Sequence, residues 1–480
     1  MPHGPTVYDE VQYPSALYRT THPEHLAAIA RLHGLGAADP RRARVLEIAG
    51  GDGLNVMAMA AALPDAQFVN IDLAPSAIAR GQQLAAACGL ANARIEVADV
   101  IAAAETCADD WGGAFDYVIA HGLYAWVPPA VQRATLRLID RVLAPEGVAY
   151  ISYNAMPGGY LRMALRDMLL YEMGDTTEDA GNDEDRARQA MAILGDYGRD
   201  RDSDTLEQAA LRRMARRMTD KDLHFLFHDE LGAVYDPKAL HRIVAEAGAH
   251  NLAYLTEAQP GGLFHGMPGE ALDDDAVVRR AQIADYRDLC FFHQSLFVRP
   301  GRAPLRVPDW RVFETLLAGV PAGLARTGPR EFKMANNTFE IGDATLADFM
   351  ELMIRRAPAR LPLAAFAQSP EHGEAILRLV DRGILELHSL PFPGALDAGE
   401  RPRANALLRA LIAQGETRLF TLDHRAIAID EEGPRLFLSL LDGSRDRAEL
   451  TREWERSGRP EQTDVTSALR QFARAGMLSE

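Results

Sequence analysis

Between Ala43 and Asn154 short apolar runs alternate with helical patterns, and the first run ends in a glycine turn flanked by carboxylates. Arg44-Val-Leu-Glu-Ile-Ala49 passes into Gly50-Gly51-Asp52-Gly53 and then into a small-residue helix over 54–63. Strand-like runs recur at 67–73, 94–100, 115–121 and 147–153, with a second helix over 75–88. Strands alternating with helices at this spacing predict a parallel sheet covered by helices on both faces, hence an α/β, Rossmann-like architecture.

After Pro157-Gly158-Gly159 the period changes. Residues 160–245 read as helices interrupted by an acidic loop over 175–185, and two strand-like segments follow at 251–257 and 290–299. These are expected to be the sixth and seventh strands of the same sheet, with the helices as an insertion over the strand ends. The expected organisation is a helical segment over the cofactor site (1–42), a binding core (43–159), the insertion (160–245, regulatory, dimerising or lid-forming), the last strands (246–300) and a C-terminal region (305–480). That last region is expected to be mostly helical. Its two segments 375–387 and 468–478 share a helix followed by Gly-apolar-Leu, which is how a winged-helix module turns from its third helix into its wing. Neither third helix carries a basic stripe, so packing against protein is expected rather than DNA binding.

A tight glycine turn after a strand lets backbone approach a nucleotide-like ligand closely. Asp72 ends the second strand, where a carboxylate can accept both ribose hydroxyls, and Asp99 ends the third, within reach of an adenine amino group. A dinucleotide enzyme would show G-x-G-x-x-G with a pyrophosphate on the helix N-terminus. Glu47 and Asp52 would repel that group but suit a ligand bearing an amino group and a sulfonium, which is S-adenosylmethionine (SAM). The expected cofactor set is Glu47, Ala49, Gly50, Gly51, Gly53, Asn55, Asp72, Leu73, Asp99, Val100 and His121, with S-adenosylhomocysteine as product. These residues resemble the first motif of the class I SAM-dependent methyltransferases, acidic-x-Gly-x-Gly-x-Gly; Ala49 stands at its first glycine and is expected to bear on affinity.

In an open α/β sheet the ligand crevice lies at the carboxyl ends of the strands. His121, Tyr124 and Trp126 follow the fourth strand and Tyr153 and Asn154 close the fifth, so they are expected to shape an acceptor channel. Aromatic faces there could hold a cationic amine. His121, His228 and Asp229 are the candidate bases or proton relays, since a lysine acceptor must lose a proton. The arginines 212, 213, 216 and 217 are read as a solvated helix face or subunit contact, and Phe291-Phe292 as core.

The strings Tyr13-Pro-Ser-Ala-Leu-Tyr-Arg-Thr-Thr-His-Pro23, His121-Gly-Leu-Tyr-Ala-Trp-Val-Pro128 and Ser152-Tyr-Asn-Ala-Met-Pro-Gly158 resemble those of the bacterial SAM-dependent methyltransferases that carry a methyltransferase regulatory domain. So do Phe227-His-Asp-Glu-Leu231 and Tyr254-Leu-Thr-Glu257. The group includes protein-lysine methyltransferases acting on outer-membrane proteins. The resemblance covers about residues 8–300; it implies a seven-stranded methyltransferase sheet and a dimeric enzyme with an open, peptide-accepting cavity. The expected activity is N-methyl transfer to a protein or peptide side chain, lysine first. Methylation of a small molecule or biosynthetic peptide is the alternative, and a SAM-responsive, non-catalytic scaffold the second.

Composition narrows the partners. A net charge of −17 repels phosphate backbones and anionic lipid, so neither nucleic acid nor membrane is an expected partner. Three cysteines, Cys88, Cys107 and Cys290, without a C-x-x-C pair exclude a disulfide framework, and no metal is expected. The absence of a long apolar run or a leader-like N-terminal stretch gives a cytoplasmic expectation.

Overall fold

A computed structural model describes residues 13–106, 111, 113–174, 183–221, 223–264, 266, 270–456 and 464–479. The readings on residues 1–12, on Cys107 and on most of the acidic stretch 175–185 lie outside the described residues.

Helix α1 (Pro23–Leu32) starts where His22 accepts from the Glu24 backbone N–H, with Pro23 in its first turn, and it buries Leu26, Ile29 and Leu32 completely. Then β1 (Arg44–Ile48), α2 (Leu54–Ala62), β2 (Gln67–Asp72), α3 (Pro75–Cys88), β3 (Ala93–Val97), α4 (Val100–Thr106), β4 (Phe115–Ala120), α5 (Pro129–Val142) and β5 (Leu143–Asn154) alternate along the chain. Helices α6 (Gly159–Met173), α7 (Asp183–Tyr197), α8 (Leu206–Thr219), α9 (Leu223–Leu231) and α10 (Leu240–Gly248) lead to β6 (Ala253–Glu257), α11 (Asp274–Asp288) and β7 (Phe292–Val298).

The seven strands form one sheet in the order β3-β2-β1-β4-β5-β7-β6. Strands β1 to β5 are parallel, and β7 runs antiparallel to both its neighbours, pairing Tyr153 with His293 and Asn154 with Phe292. Because β7 is reversed, the chain enters it at the edge where the parallel strands end. That brings Leu289 to Phe292 to the same rim as the glycine turn.

Helices α6 to α9 have a core of their own, built on Leu165, Leu169, Leu194, Ala215 and Leu226. Leu240, Ile243 and Ala247 of α10 pack instead with the sheet core beside Leu46, Val118 and Phe297. The chain therefore returns to the sheet before residue 245. Arg212 is buried against Asp204 at 2.6 Å, and Arg217 lies over the Phe291 ring, so this basic run serves the insertion's packing and is not simply solvated.

Beyond residue 305 two modules follow. In the first, the helix Pro370–Asp381 turns at Gly383 (φ +67°) into Glu386–His388, which pairs with Leu317–Gly319 in a three-stranded sheet. In the second, Val465–Arg474 turns at Gly476 (φ +72°) into Leu478–Ser479, paired with Arg403–Ala404. Both turns take the left-handed backbone that glycine adopts without strain. One apolar cluster runs from α1 and the α2 face of the sheet into both modules.

Candidate active site

The glycine turn keeps its shape around an alanine. Ala49 sits at φ +59° and donates its N–H to the Ile71 carbonyl at 2.8 Å, a left-handed conformation that costs an L residue about 1–2 kcal/mol. Gly50 admits no side chain, since a Cβ would lie 2.1 Å from Asn70 Oδ1, whereas Gly51 (φ +59°) faces open space. Glu47 is buried beneath the turn; its Oε1 accepts from Asn55 Nδ2 at 2.8 Å, and its Oε2 has no hydrogen-bond partner among the described residues. Burial pushes its carboxyl up to about 8, with the Asn55 bond opposing and Asp52 and Asp72 adding to the rise.

Asp72 takes the Gly51 N–H on Oδ2 and the Ala74 N–H on Oδ1, both at 2.9 Å, and burial raises its carboxyl above the usual range. Asp99 accepts from the Ile101 N–H at 2.7 Å, starting α4 at Val100. Leu73 is 40% exposed beside them. SAM fits this donor set: a buried carboxyl with a partnerless oxygen, an unobstructed Gly51 and carboxylates ending β2 and β3 match an ammonium, a close backbone approach and a polar nucleoside.

Asn55 is saturated rather than open to ligand. Its Nδ2 donates to Glu47 and, at 3.1 Å, to Thr21 Oγ1; its Oδ1 accepts from the Tyr18 N–H at 3.1 Å and from His424 Nε2 at 2.8 Å. In this arrangement it holds Glu47. The residues around it come from the N-terminal segment, the glycine turn and the second C-terminal module. Ser15 donates to Asp52, and the Tyr18 ring lies 3.6 Å from the His121 ring centroid. Burial, then Glu47 and Asp229, push the Tyr18 hydroxyl to about 12. Tyr13 packs on Phe225 and on His228 (centroids 5.0 and 5.4 Å), so one segment spans the turn and the insertion.

His121 Nδ1 lies 3.0 Å from Tyr150 Oη and 3.1 Å from Ser152 Oγ, and Phe292 meets its ring edge at 6.1 Å. Burial drives its imidazole down to about 3. A ring that resists protonation so strongly is neutral at pH 7 and a weak base, suited to hydrogen bonding. Asp229 is also committed, accepting from Lys221 Nζ at 2.5 Å and Arg162 at 3.2 Å, and His228 is buried between Tyr13 and Phe227.

The expected aromatic channel is placed differently. Tyr124 is buried and donates to Glu246 Oε2 at 2.7 Å; Tyr153 is buried with its hydroxyl 3.1 Å from Ser295 Oγ. Trp126 already holds a cation, with the Arg162 guanidinium 4.8 Å from its ring and Tyr235 packed against it at 4.9 Å. Asn154 ends β5 with its carbonyl taken by the Lys238 N–H at 2.9 Å. The rings that line the rim are Tyr13, Tyr18, His121 and Phe292, of which Tyr13 is 38% and Phe292 36% exposed. Phe292 is thus a rim residue and not core. Sequence reasoning missed Tyr18, although the string that contains it was singled out, because nothing local ties a tyrosine there to a strand end a hundred residues on.

A family profile described as "Methyltransferase domain" matches residues 45–147, and one described as "PKMT, C-terminal winged helix domain" matches residues 400–475. An uncharacterized protein of Rickettsia prowazekii is 32% identical over 291 residues, 59% of this chain and 50% of its own length. A second from the same organism is 28% identical over 241 residues, 50% of this chain and 93% of its own length. The chain therefore spans about half the length of the first of these relatives. The structure of PKMT2 from Rickettsia typhi in complex with AdoHcy superposes at a TM-score of 0.79, covering 97% of this chain and 99% of that one at 18% identity. A second PKMT2 structure gives 0.80. At this identity the shared property is the fold, a Rossmann-like methyltransferase sheet followed by winged-helix modules.

Proposed function

From a chain that carries a methyltransferase domain and a C-terminal winged helix domain of the PKMT kind, we propose a SAM-dependent class I N-methyltransferase whose acceptor is a lysine side chain of a protein or peptide. The observation that carries the reading is the buried Glu47 carboxyl, one oxygen partnerless, under a glycine turn whose other carboxylate ends β2. Glu47, Gly51, Asp72 and Asp99 would hold the cofactor. Bound SAM supplies an electrophilic methyl on its sulfonium, and displacement there is in-line, so most of the chain's work is alignment. Tyr18, His121 and Phe292 present ring faces and edges at the rim, where a cationic amine would be steered by the acidic site. Neutral His121, fixed by Tyr150 and Ser152, orients the acceptor, whose proton leaves to solvent. The name of PKMT2, a lysine methyltransferase, supports a protein substrate, and AdoHcy in that structure supports the cofactor.

The proposal extends to a cytoplasmic homodimer, supported by the family resemblance; among the described residues no helix is long and apolar enough to cross a membrane. The test is calorimetric titration with SAM and S-adenosylhomocysteine, followed by methyl transfer from labelled SAM onto a protein extract. A labelled protein band is expected, with the label on lysine. Label confined to small molecules would move the acceptor to the biosynthetic class, binding without transfer would leave the SAM-responsive scaffold, and no binding would overturn the reading.

A further inference from the structure

Five residues after Asp285, near the end of α11, stands Cys290, and three further on, at the start of β7, stands His293. The sequence reading passed over this C-x-x-H pair. The fold gathers one ligand atom from each of the three residues within 4.8 Å of one another. His293 Nε2 lies 3.1 Å from Asp285 Oδ2 and 3.8 Å from Cys290 Sγ. Tetrahedral zinc, with bonds of about 2.0–2.1 Å to N and O and 2.3 Å to S, sets its ligand atoms about 3.2–3.6 Å apart, close to the two distances from His293; Asp285 and Cys290 would draw together on the ion.

We propose that Asp285, Cys290 and His293 bind one zinc-like divalent cation, with an open fourth position, at the rim where β7 begins. The surroundings have the form that a histidine ligand needs. Its far nitrogen, Nδ1, lies 3.2 Å from Glu257 Oε2, which fixes the ring and leaves Nε2 turned to the other two ligands. Glu257 is held in turn by the Gln294 N–H at 2.8 Å, Ser295 Oγ at 2.7 Å and Tyr254 Oη at 3.1 Å. Gln282 Nε2 donates to Asp285 at 3.1 Å, and His241 Nδ1 meets Gln282 Oε1 at 2.8 Å. An ion pair of His293 with its two carboxylates accounts for the acids alone; Cys290 Sγ, 3.5 Å from the Phe292 carbonyl to which its thiol donates, would turn that proton out to solvent on binding the ion. Partial exposure of Cys290 provides an entry path. On binding, the thiol loses its proton to solvent and the ring nitrogen gives up any it carries, and no electron is transferred. The cation would fasten the end of α11 to the start of β7, one residue from Phe292, and so fix that ring against His121. The inference stands independently of the methyl acceptor.

The experiment uses the full chain, stripped with chelator and titrated with Co²⁺ as an optical probe, then with Zn²⁺ in competition. One equivalent of Co²⁺ is expected to give a thiolate charge-transfer band and strong ligand-field bands, which Zn²⁺ abolishes. Cys290→Ser, at a partly exposed position, should fold normally and lose the charge-transfer band. Glu257→Gln should keep the band and weaken Zn²⁺ binding about 10–100-fold. Absence of the band in the parent chain overturns the proposal. So does a band that persists in Cys290→Ser, since it would then come from Cys88 or Cys107.

Discussion

Burial raises the Glu47 carboxyl to about 8, which favours its protonated form at pH 7 in the ligand-free protein, and among the described residues no hydrogen-bond partner reaches its second oxygen. An ammonium brought to that oxygen would favour the charged form and expel the proton. Calorimetry at pH 7 in buffers of different ionisation enthalpy should therefore report close to one proton released per SAM bound, and Glu47→Gln should release none. Asp72→Ala should weaken SAM binding roughly 10–100-fold, the worth of one hydrogen bond to a charged group, read by the same titration. These carboxylates were legible because strand, turn and helix signals adjoin them in sequence and fix where they point. Tyr124 and Trp126 were not. Their aromatic character was plain, but Glu246 and Arg162, which occupy them, come from helices whose packing no local pattern encodes.

Among the elements, all seven strands of the sheet were visible as apolar runs, yet the reversal of β7 was not, since a strand's sequence carries little sign of its direction. The end of the insertion was blurred for a related reason. Helix α10 has the same amphipathic period as α6 to α9, and only tertiary packing assigns it to the sheet. Within the insertion, Arg162 is sandwiched between Trp126 and the carboxylates Asp229 and fully buried Glu230. Arg162→Ala should cost about 3 kcal/mol in denaturant unfolding, the low end for stranding a buried charge, because Arg166 stands 4.0 Å from Glu230. Loss of under about 1 kcal/mol would mean that the pair is not closed in solution.

Across the molecule, α1 is clasped by the C-terminal region. Buried Glu24 accepts from the Ser389 N–H at 2.7 Å and pairs with Arg360 at 3.5 Å and His388 at 3.2 Å, while Arg360 also pairs with Asp423. Near this junction His22 is buried and His25 partly buried, and desolvation lowers both from 6.5 to about 4. An imidazole depressed on folding binds fewer protons in the native state than in the unfolded one between those values, so stability rises with pH across the window and is lost on acidification. Stability against thermal unfolding should thus fall as pH drops from about 6.5 to about 4, each histidine contributing a slope of about 1.4 kcal/mol per pH unit. Double replacement of His22 and His25 by Gln should reduce the slope, and what remains comes from the other buried histidines, His121, His388 and His424. The hydrogen bond from His424 to Asn55 closes a loop of 369 residues onto the cofactor turn. Contacts of such sequence separation form late, after their loop-closure entropy has been met. During synthesis the first 300 residues can emerge with every strand of the sheet and still lack a partner that Asn55 requires. A settled Glu47 is then a sign that translation has passed the second module, and prematurely terminated chains would compete poorly for SAM.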